Sequence, residues 1–310
     1  MPSIQTHYKL NNGTTIPAIG LGTWKSPQGE VAKAVEHALK SGYTHIDGAW
    51  IYGNEKEVGE GIKASGVDRK SIFLTTKIWC TYHTRPDQGL DESLKNLGTD
   101  YVDLLLLHWP MPLNPNGSPA NVPKKEDGSM DTVENWTILD SWKALEKVYK
   151  SGKAKAIGVS NWSQKNLQII LDGGSVKPAC NQVELHPYNP QHELVKFCKD
   201  NDILLESYSP LGSTDSPILS DPDIVKIAKK HDVSVGTVLI SYQLNRGLVV
   251  LPKSVTPSRI EQNLKTVEFD EDDMNVLDEL AGKGGKQHRF VKPDWGTDFG
   301  FDDWNVKSAL

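Results

Sequence analysis

Asp47, Tyr52, Lys77 and His108 stand at or just after the ends of short aliphatic or β-branched runs, residues 43–47, 72–77 and 102–107. A free tyrosine titrates near 10, too high for proton exchange at neutral pH. A neighbouring ammonium favours the phenolate and lowers that value, and a carboxylate beside the ammonium holds it in place. Asp47, Lys77 and Tyr52 together therefore read as a tunable acid, with His108 available to orient a carbonyl group. Such a set protonates a carbonyl oxygen whose carbon receives a hydride, and the hydride must come from a cofactor. Singly, each residue has a plainer reading. Asp47 would be a turn cap, Lys77 a snorkelling lysine, His108 a satisfied core histidine and Tyr52 a loop aromatic. Only convergence on one mouth gives the set its chemistry.

A second cluster suggests which cofactor. In LPKSVTPSRIEQN, a strand end runs into a helix start with Lys253, Ser254, Thr256 and Arg259 close together. Free N–H groups at a helix start bind phosphate, and lysine with arginine adds charge-assisted contacts. The bland reading is a solvated cap with two surface cations. Two cations and two hydroxyls suit a phosphate monoester such as the 2′-phosphate of NADP, with Gln262 and Asn263 reading the adenine edge. Ser160, Asn161 and Gln182 offer a hydroxyl and amides to a carboxamide. Tyr208 offers a face on which a nicotinamide ring can stack.

These residues need a scaffold that brings distant strand ends together. Eight short runs, at 19–22, 43–47, 72–77, 102–107, 154–159, 179–183, 203–207 and 248–251, alternate with stretches of helical spacing such as Val31, Ala34, Val35, Ala38 and Leu39. That count over about 250 residues predicts a single-domain (β/α)8 barrel, residues 1–310, whose chemistry sits at the C-terminal strand ends. The segment THYKLNNGTTIPAIG reads as an N-terminal hairpin turning at Asn12-Gly13 and capping the barrel bottom. Polar residues before proline (Ser26, Asn189, Asp221, Thr256) read as helix N-caps, and Gly42, Gly98 and Gly173 as left-handed helix ends. Residues 110–137 and a long C-terminal loop, 282–310, exceed ordinary connection lengths, which favours functional loops. A doubly wound sheet would carry a glycine-rich phosphate turn after its first strand. Here Gly20-Leu21-Gly22 is followed by Lys25 where the third glycine would stand.

Composition narrows the remaining classes. The chain has 310 residues and a formal charge of −6, so no general field attracts nucleic acid and an anion must be held locally. Three cysteines, Cys80, Cys180 and Cys198, lack CxxC spacing, which points to a reducing compartment and to no zinc site. His45, His108 and His186 form no two-histidine strand motif, so no metal is expected. No apolar leader or spanning run is present in the sequence. The expectation is a cytoplasmic protein with a small-molecule substrate and no nucleic-acid or membrane partner, monomeric, with a dimer as the alternative.

YTHIDGAWIYGNEKEVGEGI, LLLLHWP, AIGVSNW, NQVELHPY, ESYSPLG and LPKSVTPSRIEQN, in order from about residue 19 to 265, resemble the signatures of the aldo-keto reductases. The resemblance implies an NADPH-dependent carbonyl reductase on a (β/α)8 barrel, with Asp47, Tyr52, Lys77 and His108 catalytic. It implies NADPH/NADP+ contacts from Trp24, Ser160, Asn161, Gln182, Tyr208, Ser209, Leu211, Ser213, Lys253, Ser254, Thr256, Arg259, Gln262 and Asn263. Thr23, Asp47 and Val255 complete that expected cofactor set. Two departures stand out: the stretch 212–220 is short and lacks a bulky aromatic, and position 262 is Gln where many relatives carry Glu. The tail HRFVKPDWGTDFGFDDWNV is similar to fungal glycerol dehydrogenases and glyceraldehyde reductases.

Trp24, Trp50, Trp79, His108, Trp109 and Trp295 are expected to wall a narrow substrate slot, although aromatics also serve simply to pack loops. Acidic Asp294, Asp298, Asp302 and Asp303 on the tail would disfavour anions. Short hydroxyaldehydes such as glyceraldehyde, with glycerol in reverse, are therefore expected ahead of the alternatives, aldoses such as xylose or arabinose and uronates. From a different class, a Schiff-base aldolase would use Lys77 as nucleophile. If Lys253 and Arg259 hold a 2′-phosphate, Arg259→Ala should weaken NADPH by about ten- to a hundredfold while sparing NADH. Fluorescence titration of both cofactors checks this, and equal losses would remove the phosphate from this cluster.

Overall fold

The computed structural model describes residues 4–115, 122–213 and 216–304. Parts of both predicted long loops, 116–121 and 305–310, lie outside the described residues, as do 214–215 of the stretch 212–220. A hairpin of His7–Lys9 (β1) and Thr15–Pro17 (β2) opens the chain. Eight parallel strands follow: Leu21–Gly22 (β3), His45–Asp47 (β4), Phe73–Ile78 (β5), Val102–Leu107 (β6), Ala154–Ser160 (β7), Cys180–Glu184 (β8), Leu204–Tyr208 (β9) and Val249–Leu251 (β10). Neighbours in sequence are neighbours in the sheet, and the last strand returns to the first. Gly20 and Gly22 donate their N–H groups to the carbonyls of Val250 and Pro252, each at 3.0 Å. The expected (β/α)8 barrel is thus closed, with helices on its outside.

Strand parity sorts the side chains into two layers. Along β6, Leu104 and Leu106 join the cluster inside the barrel, whereas Leu105 and Leu107 join the cluster under the helices. This is the period of two that a sheet imposes. The hairpin sends Tyr8, Leu10 and Ile16 into the inner cluster. Asn11 and Asn12 donate to the carbonyls of Pro178 and Asp202, just before β8 and β9, and of Lys155, the second residue of β7. It closes the barrel bottom, as expected, and leaves the other end to chemistry.

Helix ends depart from the sequence expectation where a turn intervenes. Asp221 is a true cap, accepting from the N–H groups of Asp223 and Ile224. Ser26 and Asn189 are not, because tight turns separate them from helices that begin at Val31 and His192. Thr256 occupies the cap position of Pro257–Gln262 without a side-chain bond. Gly42 and Gly98 are left-handed, with φ of +104° and +67°. Gly173 instead stays within its helix, Gln164–Gly173. A Cβ there would meet Leu139 Cδ2 at 2.6 Å, so this glycine lies against the Leu139 side chain and does not end its helix.

Helices Val31–Lys40 and Glu55–Ser65 meet in the same way, where a Cβ on Gly61 would lie 2.5 Å from the Ala32 carbonyl oxygen and 2.8 Å from Val35 Cβ. Helix propensity alone would make Gly61→Ala stabilising by about 1 kcal/mol. Backbone cannot yield as a flexible side chain can, so overpacking should reverse the sign and destabilise by about 1–3 kcal/mol. Urea unfolding measures the difference; a stabilised variant would show that the two helices can separate freely.

Candidate active site

The inward faces of the strands carry the polar side chains. β4 and β5 are in register at Asp47 and Thr75, which sets Lys77 inward and one residue pair higher than Thr75. Lys77 is fully buried, and its three ammonium donors are all used: Asp47 Oδ1 at 2.8 Å, Asp47 Oδ2 at 2.9 Å and the Gly48 carbonyl at 2.8 Å. An unpaired buried charge costs several kcal/mol, and this geometry leaves neither partner unpaired. It also removes the aldolase alternative, because a saturated ammonium offers no lone pair to a carbonyl carbon.

The Lys77 ammonium lies 5.2 Å from the centre of the Tyr52 ring, and the same ring meets His108 edge-on at 5.7 Å. Burial, and then the negative charge of Asp47, push the Tyr52 phenol well above its ordinary value. The expected lowering by Lys77 is thus a correction: the ammonium is spent on Asp47 and Gly48, and desolvation dominates. Tyr52 therefore remains a phenol at neutral pH. Burial, aided by the charge of Lys77, holds His108 well below its ordinary value, so it is a neutral imidazole. Its Nδ1 and the Nε1 of Trp79 are buried and have no hydrogen-bond partner among the described residues.

A cavity of about 740 Å³ opens above this floor. Asp47, Tyr52 and His108 line it, and Lys77 lies beneath. Of the expected cofactor residues, Trp24, Ser160, Asn161, Gln182, Tyr208, Ser209, Leu211, Ser213, Lys253 and Arg259 also line it. Thr23 sits under the floor, its hydroxyl donating to the Asp47 carbonyl at 2.9 Å. Ser254, Val255, Thr256, Gln262 and Asn263 lie outside the lining. Asn161 and Ser209, directly after β7 and β9, hold left-handed backbone with φ of +64° and +48°. Such strain gathers where function over-determines the chain.

Trp79, Trp109 and Trp295 form an edge-to-face wall, with ring centres 6.1 Å (Trp79–Trp295) and 5.3 Å (Trp109–Trp295) apart. Trp50 does not join it, packing edge-on against Tyr82 at 5.2 Å. The tail that carries Trp295 is fastened by Glu184 at the end of β8, whose carboxylate accepts the N–H groups of Phe290 and Val291, each at 2.7 Å. The acids expected to repel anions are engaged or turned away. Asp303 pairs with Arg289 at 2.7 Å, Asp298 accepts from the Gly300 N–H, and none of the four tail aspartates lines the cavity. The charged tail residue that does line it is Lys292.

Sequence reasoning passed over Glu206. It is wholly buried on β9, in register with Gln182. Burial, and then Asp47, push its carboxyl up to about 7, against the pull of the Gln182 hydrogen bond and Lys77. The signal was available: in LLESYSP, Glu206 stands two residues before Tyr208 and so shares its inward face.

The cavity's chemistry fits a phosphorylated dinucleotide. Lys253 and Arg259 make no ion pair among the described residues, leaving two cations for a phosphate. Among the described residues no helix is long and apolar enough to cross a membrane.

A sequence profile described as the Aldo/keto reductase family matches residues 18–281. The chain is 53% identical over 307 residues to a D-galacturonate reductase of Hypocrea jecorina, covering 97% of this chain and 99% of that protein. It is 50% identical to a glycerol 2-dehydrogenase (NADP(+)) of Saccharomyces cerevisiae, covering 92% and 94%. The solved aldose reductase of Schistosoma japonicum superposes with a TM-score of 0.86 at 37% identity, covering 93% of this chain and 95% of that one.

The buried pair makes a stability prediction. Lys77→Met strands the Asp47 carboxylate and should cost about 3–5 kcal/mol. Adding Asp47→Leu removes the stranded charge and should recover more than half of that loss. Denaturant unfolding of both variants checks this; a single variant as stable as the parent would mean that Asp47 finds another partner.

Proposed function

The chain belongs to the Aldo/keto reductase family and is an oxidoreductase, and we propose that it reduces small hydroxyaldehydes such as glyceraldehyde with NADPH, oxidising glycerol in reverse. The observation that carries this reading is the meeting of Tyr52, His108 and the Lys77–Asp47 pair at the floor of one cavity. Lys253 and Arg259 would hold the 2′-phosphate of the cofactor, Gln182, Ser160 and Asn161 its carboxamide side, and Tyr208 its ring. When bound, the cofactor supplies the hydride. Every other step belongs to the chain itself.

Tyr52 Oη donates the proton to the substrate's carbonyl oxygen. Burial keeps the group in its protonated form, which is the form that reduction consumes. Once the proton leaves, the Lys77 ammonium, 5.2 Å from the ring centre with its donors taken by Asp47 and Gly48, would act on the phenolate through its charge alone and not through a hydrogen bond. The neutral His108 orients the carbonyl without competing as a cation. The unpaired Trp79 Nε1 offers a hydrogen bond to a substrate oxygen. The tryptophan wall restricts the slot to small molecules. Three free, buried cysteines suit a reducing cytoplasm.

One observation favours a second substrate reading. Lys292 on the cavity lining, whose ammonium also donates to the Trp304 carbonyl, has further N–H groups to donate to the carboxylate of a uronate, and the tail acids do not oppose it. Spectrophotometric kcat/KM values for glyceraldehyde, xylose and galacturonate with NADPH decide between the readings. A preference for glyceraldehyde is expected; a clear preference for galacturonate would overturn the substrate assignment. In the same assay Tyr52→Phe should lower kcat by about 10²–10⁴-fold with little change in NADPH binding.

A further inference from the structure

Gln182 stands between two buried carboxylates. Its Nε2 donates to Asp47 Oδ1 at 2.8 Å and to Glu206 Oε2 at 2.7 Å, so both N–H groups of the amide are committed. The reverse orientation would set Oε1 against the Asp47 carboxylate, which has no hydrogen to share, and would give up both of these bonds. The orientation with both N–H groups on the carboxyls is therefore the one that Asp47 favours. Oε1 has no partner among the described residues, and Gln182 lines the cavity.

The neighbouring polar groups are already occupied. Asn161 Nδ2 donates to the His108 carbonyl and to Ser160 Oγ, its Oδ1 accepts the Tyr208 hydroxyl at 2.7 Å, and Ser160 Oγ donates to the Gln182 carbonyl. Gln182 Oε1 is thus the acceptor without a partner in this group.

We propose that Glu206 is a positioning residue that fixes the polarity of carboxamide recognition by taking the second N–H of Gln182. Asp47 alone would hold one N–H and let the amide pivot about that bond, presenting either an acceptor or a donor to the mouth. Glu206 removes the pivot and leaves an acceptor. An acceptor at this place selects a ligand with N–H groups, as in a nicotinamide carboxamide, over an acetyl group that has none. The inference rests on the proposed cofactor reading and adds to it a residue that does not itself line the cavity.

The probe is a pair of nucleotides, NADP+ and its 3-acetylpyridine analogue, which replaces the carboxamide by an acetyl group. Binding is read by quenching of tryptophan fluorescence, without turnover. The unaltered chain should bind NADP+ about tenfold more tightly than the analogue, the worth of one ordinary hydrogen bond. In Glu206→Leu the ratio should fall to about one, chiefly through loss on NADP+. Glu206→Thr, whose hydroxyl is too short to reach the amide, should behave alike and covers the case of a poorly folded leucine variant. Glu206→Gln keeps an acceptor for the amide and should retain the ratio. A ratio unchanged in cooperatively melting Glu206→Leu or Glu206→Thr would overturn the proposal and leave the cofactor reading intact. Absence of quenching by either nucleotide in the unaltered chain would overturn both.

Discussion

A fully buried ammonium is the constraint around which the barrel mouth is arranged. Lys77 has no water to turn to, so its three donors must end on protein, and Asp47 and Gly48 of the adjoining β4 edge supply the acceptors. That requirement fixes how β4 and β5 align, and it draws Gln182 from across the barrel to the same carboxylate. Tyr52 and His108 then inherit their environment. The low-dielectric surroundings that strengthen the ion pair also keep the phenol protonated and the imidazole neutral.

The demand for partners spreads beyond the pair. Gln182 has a second N–H, and Glu206 meets it; Glu206, buried beside Asp47, is then left with a raised affinity for its proton. His45, below Asp47, is held to about 4 by burial and contacts Thr75 and the Pro17 carbonyl. Lys77, Asp47, Gln182 and Glu206 are therefore one hydrogen-bonded arrangement inside the upper barrel, with His45 lying beneath it. Its lower boundary is the apolar plug that Tyr8, Leu10 and Ile16 contribute from the hairpin.

Much of this was legible in the chain. Apolar runs marked the strands because a parallel barrel buries both faces, and the run at 102–107 matches Val102–Leu107 without adjustment. The polar ends of those runs pointed to Asp47, Lys77, His108 and Gln182 because nothing in a packed core would want them there. What stayed hidden depended on three-dimensional neighbours. The direction of the Tyr52 shift turned on whether Lys77 had donors to spare, and spacing does not say. Glu206 was obscured because it lies inside a strand and not at its end. The tail aspartates misled because charge in a sequence carries no heading, and Arg289 had already claimed Asp303.

Glu184 fastens the tail by gripping main-chain N–H groups at positions 290 and 291. Main-chain groups are common to almost every residue type, so this clasp reads no side chain. The wall that meets the substrate can thus drift in sequence while its attachment to β8 persists, two residues from Gln182. Substitutions in the wall can therefore retune what enters this barrel without disturbing the clasp that holds it.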